Sequence, residues 1–366
     1  MKQGWEIKRL EELAIKLFAG GDKPKVFSEH PTGSLNIPVY ANGVSLNGLV
    51  GYTDKAIVDK ESITISARGT IGFCCIRQTP FVPIVRLITI IPTEEIRTRY
   101  LYYALSNATI ENNGVAIPQL TIPMIKGIPI PVPPREEQER IVAELDCLSG
   151  VIEKKREQLK GLDALAQSIF YQMFGDPITN EKGWEVKKLG EVTILYNGRA
   201  FKPTDWSENG LPIVRIQNLN NRNASYNLYN GEVSNAHRLY GGELLYAWSG
   251  TPDTSFGAHI WYGTDAVLNQ HIFKVEFDDN VLNKKFFLFL LNSQVHSMFD
   301  QTHGGVGLQH ITKGTLTSQN VIIPHLALQK QFAEKIEKIE QQKKLISQSI
   351  KEVEDLFNSR MSYYFN

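Results

Sequence analysis

The residue constellations of common enzymes are missing from this chain. There is no Gly-x-x-x-x-Gly-Lys-[Ser/Thr] phosphate loop and no Gly-x-Gly-x-x-Gly dinucleotide fingerprint. A Gly-x-Ser-x-Gly nucleophile elbow is also absent, as is the asparagine-proline-proline-aromatic signature of adenine methyltransferases. Gly175-Asp176-Pro177 contains an Asp-Pro, but its place after an apolar helical run reads as a stop signal. His259, His271, His296, His303 and His310 crowd the second half without cysteine partners or metal-ligand spacing. No catalytic residue and no metal ligand is therefore assigned. The adjacent Cys74 and Cys75 sit in an apolar run and read as buried thiols.

The chain does carry polar loops suited to reading bases. Residues 215–223 bring together Arg215, Gln217, Asn218, Asn221 and Arg222. Arginine pairs bidentately with guanine, and asparagine or glutamine with adenine. Arg68-Gly69-Thr70 and Ser249-Gly250-Thr251 put a glycine between polar side chains, which lets backbone approach a phosphate. Gln119-Leu120-Thr121 and Gln309-His310-Ile311-Thr312 precede Lys126 and Lys313, two cations suited to phosphate contact. Ordinary turns have the same Asn- and Gly-rich composition, so composition alone does not separate the two readings.

The elements that position these loops come in two copies. Gly4-Trp5-Glu6-Ile7-Lys8-Arg9-Leu10 recurs as Gly183-Trp184-Glu185-Val186-Lys187-Lys188-Leu189, an offset of 179. The offset grows to 181 where Arg68-Gly69-Thr70 meets Ser249-Gly250-Thr251, and to 186 at the apolar runs 100–105 and 286–291. It reaches 191 where Gln119-Leu120-Thr121 meets His310-Ile311-Thr312, and stays there from Pro133 and Pro324 onward. Each copy is thus a variable globular part followed by a part of fixed length.

The fixed part is helical. Ile141, Leu145, Leu148, Ile152, Lys155, Leu159, Leu162, Ala166, Ile169 and Met173 follow one another by steps of four and three. The second copy keeps the phase through Phe332, Ile336, Ile339, Lys343, Ile346, Ile350, Val353, Phe357, Arg360 and Tyr364. Lys155 and Lys343 either set register or reach out to water. Forty helical residues span roughly 60 Å and cannot bury such a seam alone. Antiparallel pairing of the two helices is the simplest solution, giving a pseudo-two-fold molecule; a parallel homodimeric coiled coil is the competitor. The globular parts read as mixed α/β (α+β). Strands are expected at 62–66, 83–91, 213–216 and 267–277, helices at 98–108 and 283–298, and loops at 40–51 and 217–230.

Composition is that of a globular protein, 42% apolar and 21% charged over 366 residues. No apolar run approaches the ~20 residues of a membrane helix, and no secretory leader is visible at Met1. Three cysteines, an odd number, fit a reducing cytosol, so a cytoplasmic location is expected. The 39 basic and 39 acidic side chains cancel.

This layout resembles the specificity subunit of type I restriction–modification enzymes, over the whole chain. The most specific match is Ile128-Pro129-Ile130-Pro131-Val132-Pro133-Pro134-Arg135-Glu136-Glu137-Gln138-Glu139-Arg140-Ile141. The Gly-Trp-Glu openings at Gly4 and Gly183, the turns at Arg68-Gly69-Thr70 and Gly241-Gly242-Glu243, and the junction Met173-Phe174-Gly175-Asp176-Pro177 also match. The second copy departs from the pattern, having Leu328 where the first has Glu137 before its glutamine. The resemblance implies target-recognition domains at 1–134 and 176–325, a central spacer helix at 135–175 and a second at 326–366. It implies a non-catalytic subunit that reads a bipartite DNA target, with the helices as the ruler between half-sites. Two methyltransferase subunits and translocase–endonuclease subunits would dock on it. No cofactor would bind directly; S-adenosylmethionine, ATP and Mg would arrive with those partners. Tyr40, Asn42, Arg68, Thr70, Gln119 and Lys126 would face DNA in the first domain. In the second domain Arg215, Gln217, Asn218, Asn221, Arg222, Ser249, Thr251, His303, Gln309, His310 and Lys313 would do so. Loops this different imply an asymmetric target. The alternatives are a stand-alone endonuclease or methyltransferase with an unrecognised centre, and a coiled-coil scaffold.

Overall fold

A computed structural model describes residues 4–108, 119–221, 223–250, 256–295, 297 and 309–366. It divides into two compact units, Met1–Glu157 with Ser347–Asn366, and Gln158–Ile346. Each unit therefore takes in part of both long helices, the central one (Arg135–Phe174) and the last one (Leu326–Phe365).

In the first unit, β1 (Glu6–Arg9) leads into β2 (Ala14–Ala19), β3 (Ile37–Tyr40), β4 (Leu49–Thr53) and β5 (Ser62–Ile65). Then come β6 (Cys74–Arg77), β7 (Val82–Pro83), β8 (Ile88–Pro92), a helix (Thr98–Asn107) and β9 (Pro129–Val132). One antiparallel sheet has the order β2-β8-β5-β6, and a second has β4-β3-β7 with β3 and β7 parallel. All four residues of β5 are buried, so the strand shows no alternation of apolar and charged residues, and its last three residues are β-branched. The strand expected at 83–91 is two strands. Val85 and Arg86 both take positive φ, 52° and 61°, and Leu87 N donates to Ile84 O at 3.0 Å, closing a two-residue turn. The core gathers Leu10, Leu13, Ile63, Ile90, Tyr100 and Leu101 against Ile141 and Leu145 of the central helix and Met361 and Tyr364 of the last one.

The second unit repeats this plan with β10 (Glu185–Lys188), β11 (Thr193–Asn197), β12 (Leu211–Val214), β13 (Leu228–Tyr229), β14 (Arg238–Leu239) and β15 (Leu244–Ala247). It continues through β16 (Ser249–Gly250), β17 (Gly257–Ile260), β18 (Ala266–Leu268), β19 (Ile272–Phe277), a helix (Lys284–Ser293), β20 (Gln309–His310) and β21 (Asn320–Ile323). The sheets are β11-β19-β15-β17 and β13-β12-β18-β14, with β12 and β18 parallel. The closing pairs correspond as the sequence offsets require: Glu6 faces Val132 in one unit, Glu185 faces Ile323 in the other. Two expectations are corrected. The strand at 213–216 ends at Val214, because Ile216–Asn220 turns into a short helix. The run 267–277 breaks between β18 and β19.

Within each unit the two long helices pack antiparallel. In the first, Arg360 bonds Glu144 and Arg156 bonds Glu354 (2.5 Å), so partners fall in number on one helix as they rise on the other. In the second, Lys343 pairs with Asp163, and the rings of Phe170 and Phe174 lie 5.7 and 5.4 Å from that of Phe332. Lys343 thus reaches a partner on the facing helix. The seam itself shifts by one residue near the globular parts. Phe170, Phe174 and Met361 are the buried positions, beside the expected Ile169, Met173 and Arg360. There the helix covers a domain core as well as its partner, which widens its apolar face.

Each long helix is latched to its globular part by one buried glutamine. Gln138 accepts from Arg97 N (2.8 Å) and donates to the carbonyls of Glu95 (3.1 Å) and Pro133 (3.0 Å). Gln329 accepts from Asn283 N (2.7 Å) and donates to those of Val281 (3.0 Å) and Pro324 (2.7 Å). Among the described residues, no helix is long and apolar enough to cross a membrane.

Candidate nucleic-acid interface

Four segments of the first unit meet where β3, β5 and β7 end and β8 begins. Asn42, just after β3, ties them together. Its Nδ2 donates to Val85 O and its Oδ1 accepts from Ala67 N, both at 2.7 Å. Ile84 N donates to Tyr40 O (2.9 Å), and Leu120 N to Ala67 O (2.8 Å). Gly20 packs flat against the same place: a Cβ there would lie 2.6 Å from the Pro83 carbonyl carbon. Only glycine permits so close an approach.

A buried cation props the neighbouring loop. Arg77 on β6 lies 3.7 Å from the Tyr40 ring, donates Nε to Thr64 Oγ1 (3.0 Å) and Nη2 to Asn47 O (2.6 Å). Burial holds its guanidinium below the ordinary arginine range. The carbonyl it grips belongs to a loop in which Leu46 and Asn47 both take positive φ, 47° and 54°. Leu46 is left 76% exposed at its tip.

The second unit builds the same junction from different side chains. Asn269 N donates to Val214 O (3.1 Å), Ile272 N to Asn269 O (3.2 Å) and Ile311 N to Trp248 O (3.1 Å). Each matches a bond of the first unit. Gly198 stands where Gly20 does, with a Cβ 2.0 Å from Asn269 O. The bracing that Asn42 supplies to Ala67 comes here from backbone, Trp248 N donating to His271 O at 3.2 Å. Trp248 also lies against the His271 ring (5.2 Å) and donates Nε1 to Asn197 Oδ1 (3.2 Å).

The expected DNA-facing residues divide into three groups. Arg68, Thr70, Gln217 and Asn221 are exposed, and Arg68 donates Nε and Nη2 to the half-buried Gln119 Oε1 (3.0 and 2.6 Å), which joins two of them at one edge. Lys126 is exposed 3.8 Å from Glu11. A second group is structural. Asn42 spends its amide on backbone, and Tyr40 is a platform for Arg77. Asn218 is buried, accepting from Arg215 N (3.1 Å) and donating to Ser225 O (3.2 Å). Ser249 is buried in β16, and Lys313 donates Nζ to Leu195 O (2.8 Å). Arg215 is half-buried with its guanidinium 5.1 Å from the Trp206 ring. Each of these side chains has at least one contact within the protein, so its first role in this structure is to hold the loops in place. The third group, Arg222, Thr251 and His303 together with the side chains of Gln309 and His310, lies outside the described residues.

Arg86 was missed. It is exposed at the tip of the turn between β7 and β8. The signal for it was a charge interrupting the apolar run 82–91. Val85 beside it is β-branched at positive φ, a conformation costing roughly 1–2 kcal/mol.

Known proteins match this chain in sequence and in fold. The type I restriction modification DNA specificity domain matches residues 2–161 and 181–355. A Mycoplasma pneumoniae protein named as a candidate type I specificity subunit is 36% identical over 140 residues, 38% of this chain and 42% of that protein. The specificity subunit of the type I restriction enzyme MjaIX of Methanocaldococcus jannaschii is 27% identical over 256 residues, 59% of this chain and 58% of its own. The chain thus spans 42% and 58% of the lengths of these curated relatives. The S subunit of a type I restriction–modification system from M. genitalium shares the fold, with a TM-score of 0.57 at 15% identity, covering 99% of this chain and 96% of that one.

Proposed function

Because the chain belongs to the type I restriction–modification DNA specificity family, we propose that it is a non-catalytic subunit that selects a bipartite, asymmetric DNA target. One observation carries this reading. Two units share strand order and junction hydrogen bonds, yet present different side chains at the same loop positions. A scaffold alone needs no such divergence, whereas two readers of different half-sites do. Each of residues 1–134 and 176–325 would read one half-site. The long helices, each of about 60 Å, would set the unread spacer and offer docking surface to two methyltransferase subunits. S-adenosylmethionine would come with those subunits, and ATP and Mg with translocase–endonuclease subunits. The chain would act in the cytoplasm, where its DNA and partners are.

Reconstitution tests this. The chain with its methyltransferase subunits should methylate duplex DNA at one motif of two separated half-sites, read out by methylation-sensitive sequencing. Neither component should do so alone. Methylation by this chain in the absence of partners would overturn the proposal in favour of an enzyme with an unrecognised centre.

A further inference from the structure

We infer that the two-residue turn joining the parallel strand to the next sheet strand is a base-reading element in both units, with Arg86 reading guanine in one half-site and Gln270 reading adenine in the other. The inference rests on the specificity-subunit reading above and assigns it to particular atoms.

The two turns occupy one position in the shared fold. In the first unit Ile84-Val85-Arg86-Leu87 joins β7 to β8; in the second Asn269-Gln270-His271-Ile272 joins β18 to β19. Leu87 N to Ile84 O and Ile272 N to Asn269 O close both, and Gly20 N to Leu87 O matches Gly198 N to Ile272 O, with Gln270 standing at the place of Val85 and His271 at that of Arg86; only the first turn takes positive φ at its tip. Each turn therefore rests on a glycine-backed sheet end, which fixes where its tip side chains begin.

What the tips carry differs. The first presents Arg86, exposed, and among the described residues no carboxylate, carbonyl or ring engages its guanidinium. That sets it apart from Arg77 and Arg68, which are both engaged. The turn keeps Arg86 raised by holding Val85 and Arg86 at positive φ, with Val85 N donating to Gly21 O (2.8 Å) and Arg86 N to Gly20 O (3.0 Å). The second tip presents Gln270, half-buried, its Nε2 3.0 Å from His271 Nε2. The His271 ring is itself seated on Trp248, so the amide next to it is oriented.

Phosphate is the same at every step of DNA, and a phosphate grip would be served by one cation at both tips. A guanidinium at one tip and an amide at the other is the difference that base edges require. Arginine forks onto guanine O6 and N7, and glutamine onto adenine N6 and N7.

The test uses the complex reconstituted with its methyltransferase subunits, on a duplex library randomised in both half-sites. Arg86→Ala should relax one base position of one half-site, with discrimination falling roughly 5- to 150-fold, and leave the other half-site unchanged. Gln270→Ala should relax one position in the opposite half-site. Arg86→Lys, which keeps the charge but not the fork, should lose the discrimination while keeping overall affinity. Thermal unfolding of each variant should match the parent. A defined parental motif that Arg86→Ala and Gln270→Ala leave intact would overturn the inference alone, as would uniform weakening across all sequences. A parental complex with no bipartite motif would overturn the reading beneath it, and the inference with it.

Discussion

Amide side chains in this protein serve two opposite purposes, and the difference is burial. Gln138 and Gln329 are 1% and 0% exposed, and each makes three hydrogen bonds to backbone at a helix start. Replacing either by alanine leaves a buried N–H and carbonyls without partners, a loss of about 2–4 kcal/mol. Gln138→Ala should therefore lower the denaturant midpoint of the first unit, and Gln329→Ala that of the second; an unchanged midpoint would show the latch to be dispensable. Glu137 is another matter. It pairs with Arg140 at 2.7 Å on the surface, a contact worth about 0–1 kcal/mol. That explains why the second copy keeps the glutamine and carries Leu328 in place of the acid. Residue type alone could not make this distinction. Asn42 and Asn218 have the composition of base readers, but their amides are bonded to backbone on both the oxygen and the nitrogen. Arg86 lay in a run that read as strand.

The paired helices were legible because a heptad pattern is local and repetitive, and the second copy repeated it in phase. The loops were not, since their form depends on hydrogen bonds between segments far apart in sequence, such as 42 with 67 and 85. The helix pair of the first unit also contains a titratable joint. Arg360 bonds Glu144, Tyr364 Oη donates to Glu144 Oε2 at 2.7 Å, and Arg140 lies 3.5 Å from the same oxygen. The bond from Arg360, aided by Tyr364 and by both guanidinium charges, holds the Glu144 carboxyl below its ordinary range. A depressed folded-state value means stability that is fully present above about pH 4.5 and is lost as pH falls through that lower value. Glu144→Gln should thus cost stability at pH 7 and flatten the acid limb of the unfolding profile. A variant whose acid limb is as steep as the parent's would remove Glu144 from the account.

For the whole chain, the zero net charge is an average over unlike parts. Residues 1–134 carry 14 basic and 11 acidic side chains, net +3, and residues 176–325 carry 12 and 14, net −2. Much of the positive charge is already engaged. Arg97, Arg99, Arg156 and Arg360 pair with Glu139, Asp146, Glu354 and Glu144 in the first unit. Lys285, Lys343 and Arg238 pair with Glu340, Asp163 and Asp265 in the second. DNA affinity comes largely from releasing counterions, one per phosphate neutralised. With a net charge of zero, a grip on about two to four phosphates is expected, so the chain should bind duplex DNA weakly. It should lose roughly 10- to 150-fold in affinity between 50 and 200 mM salt. Adding methyltransferase subunits should raise the affinity and steepen the salt slope, because new phosphate contacts each add to it. Titration by fluorescence anisotropy at several salt concentrations, with and without those subunits, separates the contributions. Tight binding by the isolated chain that persists at 200 mM salt would mean that it holds DNA through surfaces other than the loop faces described above.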